Sequence, residues 1–296
     1  MPSARAKGAA CMVASAFGFA LMAFCVRLCD DFGEPVSCFQ KSLFRNVVAL
    51  SVALPLFMRF HHAKPLGELL RPRILSLLVA RSALGTAGIF ANFYALSRIP
   101  IAEGQTLNKT APFFTLLFAW MFLGEHVTSR QVRTLLLAFV GVVLVAKPGF
   151  AGDATLPLML GLFGGLCAGA AYACVRSLRR HKADPSLIVL FFSFFSCLAS
   201  LPFSIWDFDP MTPAQLLILV GAGCGAALGQ FGITLAYGFA PPGEIAVYDY
   251  TNILFTAAFG YFFFSQVPDV LSFVGFVAIL AAAFRLHNAR SAAPAS

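Results

Sequence analysis

Residues 95–134 can be laid on residues 236–275 without a gap, and few folds accommodate a strongly apolar chain that repeats itself in this way. The register pairs Pro100 with Pro241, Glu103 with Glu244, Thr115 with Thr256 and Phe122 with Phe263. Nearer the start of each half, Cys25-Val26-Arg27 is echoed by Cys174-Val175-Arg176, and Glu34-Pro35 by Asp184-Pro185. Repeats of soluble solenoids are shorter and far less apolar. If each copy crosses a membrane an odd number of times, the second copy faces the opposite way, as in carriers that work by alternating access.

Composition supports a membrane setting. Charged residues make up 11% of the chain and hydrophobic ones 59%, whereas a soluble domain carries about 25% charge. A helical span takes about 20 apolar residues, and the apolar runs fall at 8–29, 37–58, 74–96, 101–123, 132–146, 156–174, 187–205, 214–238, 243–264 and 270–284. The expected fold is all-α and integral to the membrane: ten transmembrane helices as two inverted five-helix repeats, residues 1–150 and 151–296. The first run is too long for a signal-peptide core and is read as a retained helix.

The net charge of +8 does not point to nucleic acid, because its placement alternates. Arg5 and Lys7, Arg59 to Arg73, Arg130 and Arg133, Arg176 to Lys182, and Arg285 with Arg290 lie at one set of span ends. Asp30, Asp31, Glu34, Asp153, Asp207, Asp209 and Asp269 lie at the other. Positive-inside reasoning puts both termini in the cytoplasm of a bacterial inner (plasma) membrane. The eight cysteines show no metal-ligand spacing, and the five histidines sit in loops or at helix ends. Neither a metal site, a cofactor loop nor a catalytic constellation is expected. Cys29 and Cys38 flank one short loop, but a disulfide there is not favoured. Glycines recur four apart in two ladders, Gly161-Gly165-Gly169 and Gly221-Gly225-Gly229, as small residues do where helices approach closely in lipid.

Phe93-Tyr94-Ala95-Leu96, Pro100-Ile101-Ala102-Glu103, Ala111-Pro112-Phe113-Phe114 and Phe122-Leu123-Gly124-Glu125 form a pattern that recurs more weakly from Leu235-Ala236-Tyr237 to Phe264-Ser265-Gln266. On these segments the chain resembles the EamA-type members of the drug/metabolite transporter superfamily, over nearly its whole length. The second copy departs by having Ser265-Gln266 where the first has Gly124-Glu125. The resemblance implies secondary transport of small organic metabolites without ATP hydrolysis. It also implies a central cavity lined by the first, third, sixth and eighth spans, which carry Ser15, Asn92 and Tyr94, Tyr172 and Gln230, with the fifth and tenth peripheral.

Ionisable groups deep in lipid are costly and are functional candidates by default. Lys41, Glu103 and Glu244 lie near span ends and can snorkel to the interface, whereas Arg45, Arg81, Lys109 and Asp249 lie deeper. Lys109 leads. Pro112 cannot donate to the carbonyl of Asn108, so a free carbonyl, a carboxamide and an ammonium can gather at one kinked turn. Asp249 occupies the repeat position of Asn108, with Tyr248 and Asn252 near it. The opposed charges of Lys109 and Asp249 suit either a salt bridge or the two ends of a zwitterion. Asn92, Tyr94, Gln230, Arg81 and Trp120 complete the expected substrate-binding set, with Phe19 and Phe90 as further stacking candidates. The expected function is alternating-access movement of a small metabolite, an amino acid or derivative first, with efflux ahead of uptake. Uptake of a vitamin or nucleoside-like compound is the alternative, and a non-transporting membrane subunit or enzyme is the alternative of another class. The expected partners are solute, lipid bilayer, protons as coupling ion and a second copy in a homodimer.

Overall fold

The computed structural model describes residues 4–60, 71–96, 107–146, 155–206, 208–265, 267 and 269–288. Their regular structure is entirely helical: α1 (Ala4–Cys29), α2 (Cys38–Phe60), α3 (Pro72–Leu96), α4 (Ala111–Leu123), α5 (Ser129–Ala146), α6 (Thr155–Arg180), α7 (Pro185–Trp206), α8 (Pro213–Phe239), α9 (Pro242–Ile245), a 3₁₀ segment (Ala246–Tyr250), α10 (Thr251–Phe264) and α11 (Val270–Asn288). Six of these, α1, α2, α3, α6, α7 and α8, are long and apolar enough to cross a membrane. Shorter apolar helices occur at Ala111–Leu123 and Val270–Arg285. The outer faces are apolar as well: Met58, Phe122, Leu217, Phe262 and Phe284 are all strongly exposed, which suits lipid rather than water. All eight cysteines are free, Cys29 and Cys38 included.

Packing exchanges the two halves. α1 lies along α8, and its counterpart α6 lies along α3. α2 meets α8 as α7 meets α3, while α2 packs on α7 and α5 on α11. The α1–α8 seam is the tighter one. A methyl group placed on Gly18 would come within 2.6 Å of the Gly229 nitrogen and 2.7 Å of the Gly225 oxygen, so only glycine lets these backbones touch. The two glycine ladders do different jobs. Gly221, Gly225 and Gly229 face α1, whereas Gly161, Gly165 and Gly169 face the chain from Leu107 to Thr115.

The two ends of the bundle differ in chemistry. Where α1 begins and α6 and α8 finish, a large apolar cluster that includes Leu116, Leu135, Val175, Leu178, Ile188, Tyr237 and Ile245 seals the centre. Beside it, Arg176 Nε donates to Glu125 Oε1 at 2.6 Å and Arg180 Nη1 to the Leu123 carbonyl at 2.7 Å. At the opposite end the closure is polar. Lys41 Nζ pairs with Asp30 at 2.6 Å, the Ser37 nitrogen donates to Asp209 Oδ2 at 2.8 Å, and Gln215 Nε2 donates to the Cys29 and Glu34 carbonyls. Lys41 is thus an end-anchoring group, as its place near a span end suggests. Glu103 lies outside the described residues.

Candidate functional site

The helix expected over 101–123 is interrupted where the sequence places its kink. Leu107 and Asn108 are helical, Lys109 and Thr110 form a turn, and α4 starts afresh at Ala111 with Pro112 in its first turn. The Thr110 nitrogen and hydroxyl both donate to the Leu107 carbonyl, closing that turn locally. In the second half the chain between α9 and α10 tightens to 3₁₀ geometry over Ala246–Tyr250, and this segment carries Asp249. Both breaks fall at mid-bundle, so the side chains of two irregular backbones project toward each other. Lys109 Nζ stands 3.1 Å from Asp249 Oδ2, and both side chains are largely buried.

A cavity of about 110 Å³ opens beside this pair. Arg45, Arg81, Lys109, Asp249, Asn108, Asn92, Gln230 and Asn252 line it, together with Phe19, Met22, Tyr172 and Phe192. On α3 the lining residues are Arg81, Gly85, Gly88, Ile89, Asn92 and Phe93, a single broad helical stripe. Arg81 Nη2 donates to Gln230 Oε1 at 2.6 Å, and its guanidinium lies 3.5 Å over the Phe192 ring. Its Nε and Nη1 have no hydrogen-bond partner among the described residues. Among the described residues, Arg45 Nη1 reaches only the Met22 thioether at 3.6 Å, a weak acceptor, and its Nε is likewise unpartnered. Asn252 Nδ2 donates to the Ala16 carbonyl at 2.8 Å and so ties α10 to α1 as well as facing the cavity.

Three of the residues expected to touch solute lie elsewhere. Trp120 is 59% exposed on the outside of α4, eleven residues and about 16 Å along the axis from Lys109 at the usual helical rise. Tyr94 is two residues past Asn92, a turn of about 200° that aims it away from the cavity stripe. Tyr248 neighbours Asp249 in sequence but packs into the apolar cluster that seals one end. Phe90, the other stacking candidate, packs instead against Phe39 and Phe203. Conversely, Arg45 belongs to the cavity although its sequence context marks it only as a deep cation. Phe192 was not legible, since nothing separates it from the other phenylalanines of α7. Gly85 is the least conspicuous participant. A methyl group there would meet Arg81 Nη1 at 2.8 Å and Phe192 Cε2 at 2.9 Å, so its bareness makes room for the buried guanidinium.

Membrane-length apolar helices around a charged central cavity define a multi-pass membrane protein that handles a small solute. The comparisons agree on the class. The model of the EamA-like transporter family matches twice, at residues 6–147 and 155–286, and the chain belongs to that family. Among its relatives, the pseudopaline exporter CntI of Pseudomonas aeruginosa is 30% identical over 227 residues, 76% of this chain and 79% of that protein. A riboflavin transporter of Vibrio cholerae is 27% identical over 287 residues, 94% of this chain and 92% of its own. A solved crystal structure superposes with a TM-score of 0.76 at 16% identity, covering 92% of this chain and 96% of the other, which supports the fold alone. The protein is therefore a small-molecule transporter of the membrane and not an enzyme.

Proposed function

We propose that the protein is a secondary carrier whose two five-helix repeats, residues 1–150 and 151–296, are inverted across a bacterial inner membrane and rock about the central cavity. The observation that carries this reading is the Lys109–Asp249 pair, formed between the broken helices of the two copies at the edge of that cavity. Discontinuous helices near the midplane are how many carriers present charge and free backbone to a solute. Ten spans satisfy both the duplication and the exchange of packing partners between halves. Both termini lie in the cytoplasm on this reading, because the end of the bundle holding Arg5, Lys7, Arg179, Arg180 and Lys182 is the basic one.

The solute is a small polar metabolite, with amino acids and their derivatives first, because opposed charges beside one cavity suit a molecule bearing both an amine and a carboxylate. Export is favoured by the relative named as an exporter. The relatives named as riboflavin transporters support a second reading, movement of a vitamin-like aromatic compound, for which Phe19, Tyr172 and Phe192 supply stacking surfaces. Competition of solute or proton with the Lys109–Asp249 pairing is the simplest coupling step.

Untargeted metabolite profiling of cells with and without the protein identifies the solute, and flux into proteoliposomes tests it. A carrier shows counterflow, with unlabelled solute on one side accelerating labelled solute from the other. Uptake that follows only the gradient, with no acceleration, would point to a channel. Failure of every profiled solute to move would remove the transport reading of this cavity. In whole cells of a cysteine-reduced background, cysteines near Asp209 should be labelled from outside and those near Arg179 should not; the reverse pattern would overturn the orientation.

A further inference from the structure

We propose that the transported solute carries more carboxylates than amines, and that Arg45 and Arg81 hold the surplus carboxylate. This rests on the reading of the cavity as the solute site and deepens it. Among the described lining residues there are three cations, Arg45, Arg81 and Lys109, and one anion, Asp249. Lys109 and Asp249 answer each other. The two guanidiniums are answered by nothing of opposite charge among the described residues, although Arg45 is 3% exposed and Arg81 1%.

Such an arrangement is costly, because a buried charge without a partner forfeits its hydration. Had these positions served packing alone, an apolar side chain of similar volume would fill them better. Instead the chain maintains them. Gly85 is bare where Arg81 needs space, Phe192 supports the flat face of its guanidinium, and Gln230 fixes Nη2. That leaves Nε and Nη1 of Arg81, and Nε of Arg45, as donors with no acceptor among the described residues. A guanidinium presents planar N–H pairs that match the two oxygens of a carboxylate. A zwitterion with one amine and one carboxylate would replace only the Lys109–Asp249 contacts and leave both arginines unanswered. A solute with additional carboxylates would satisfy all four groups.

Thermal unfolding of the purified protein at matched ionic strength tests this with four probes: N-acetylglutamate, glutamate, glutamine and putrescine. The first two, each with two carboxylates, should raise Tm by roughly 2–4 °C at saturation, with glutamine and putrescine giving less than a quarter of that shift. Arg81→Gln and Arg45→Gln should each abolish the shift, Arg81→Lys should keep part of it, and Gly85→Ala, which crowds Arg81 without removing charge, should reduce it. If a glutamine variant fails to fold, Arg81→Lys and Gly85→Ala still decide the matter: a shift unchanged in both would overturn the proposal. It would also be overturned if neither dicarboxylate raised Tm, if glutamine or putrescine did so equally, or if inorganic phosphate did so as strongly as the dicarboxylates, since the last would mark a general oxyanion site. Flux separates the two levels. Lys109-dependent transport of a neutral or cationic solute would leave the carrier reading intact and remove this one, whereas no flux of any solute would remove the carrier reading first.

Discussion

The two copies of the repeat keep the same broken helix and fill it with opposite chemistry. After the break, α4 runs 13 residues and α10 runs 14, and each ends on a left-handed residue, Gly124 with φ 63° and Ser265 with φ 54°. At the break itself, Asn108 and Lys109 of the first copy align with Asp249 and Tyr250 of the second. Pro112 aligns with Ile253, so the second interruption persists without a proline behind it. The difference teaches that the backbone irregularity is the element common to both halves, while charge has been divided between them. One half supplies a cation, the other an anion, and together they make the pair at the centre.

That division is broken most directly by removing one charge. Lys109→Met or Asp249→Asn leaves the other group buried without its partner, at a cost of about 3–5 kcal/mol in stability. Unfolding in detergent should show this loss in each single variant and its recovery in the Lys109→Met/Asp249→Asn double variant. No recovery would mean that the two side chains stabilise the fold independently.

The helix seams of the two halves come next. Gly18→Ala drives a methyl group into backbone atoms of α8 at 2.6 and 2.7 Å and should cost about 1–3 kcal/mol. In the corresponding α3–α6 seam, a methyl group on Gly88 meets the Cys167 Cβ and the Gly164 oxygen at 3.2 Å, contacts that small shifts relieve. Gly88→Ala should therefore cost less than Gly18→Ala in the same unfolding assay; equal losses would mean the seams are equally tight.

Smaller still is the pair that only the first copy can make by sequence. Glu125→Gln weakens the charge-assisted bond to Arg176, which retains its bond to the Tyr237 carbonyl at 2.9 Å, and a loss of about 1.5 kcal/mol is expected. The smallest effect lies at the helix ends. No neighbouring atom of the described residues would meet a methyl group at Gly124, so Gly124→Ala isolates the left-handed backbone cost of about 1 kcal/mol. Ser265→Gly should return a comparable gain. A stabilised Gly124→Ala variant would show that the two ends do not share this conformation in solution.

Much of this was legible in the sequence, for identifiable reasons. Apolar runs bounded by charge and proline located the long helices, because lipid tolerates few polar interruptions. Lys109 and Asp249 stood out because ionisable groups deep in a span are rare and theirs were near-equivalent in the two copies. Arg81 and Asn92 share a stripe that helical periodicity alone assigns to one face. Tyr94, two residues beyond Asn92, falls off that stripe by the same periodicity. What sequence could not supply was the meeting of non-adjacent helices. Nothing local sets Phe192 of α7 under Arg81 of α3, or makes Gly85 the space that guanidinium occupies. The glycine ladders show the same limit: alike in spacing, one packs on α1 and the other on the broken segment before α4.

The central claim is that solute is handled where the two broken helices meet. Counterflow of the profiled solute into proteoliposomes, with wild-type protein and Lys109→Met reconstituted at equal levels, tests it most directly. The account predicts that Lys109→Met moves no more solute than protein-free vesicles while remaining folded and inserted. Near-normal counterflow by that variant would contradict the account and place the transport site elsewhere in the bundle.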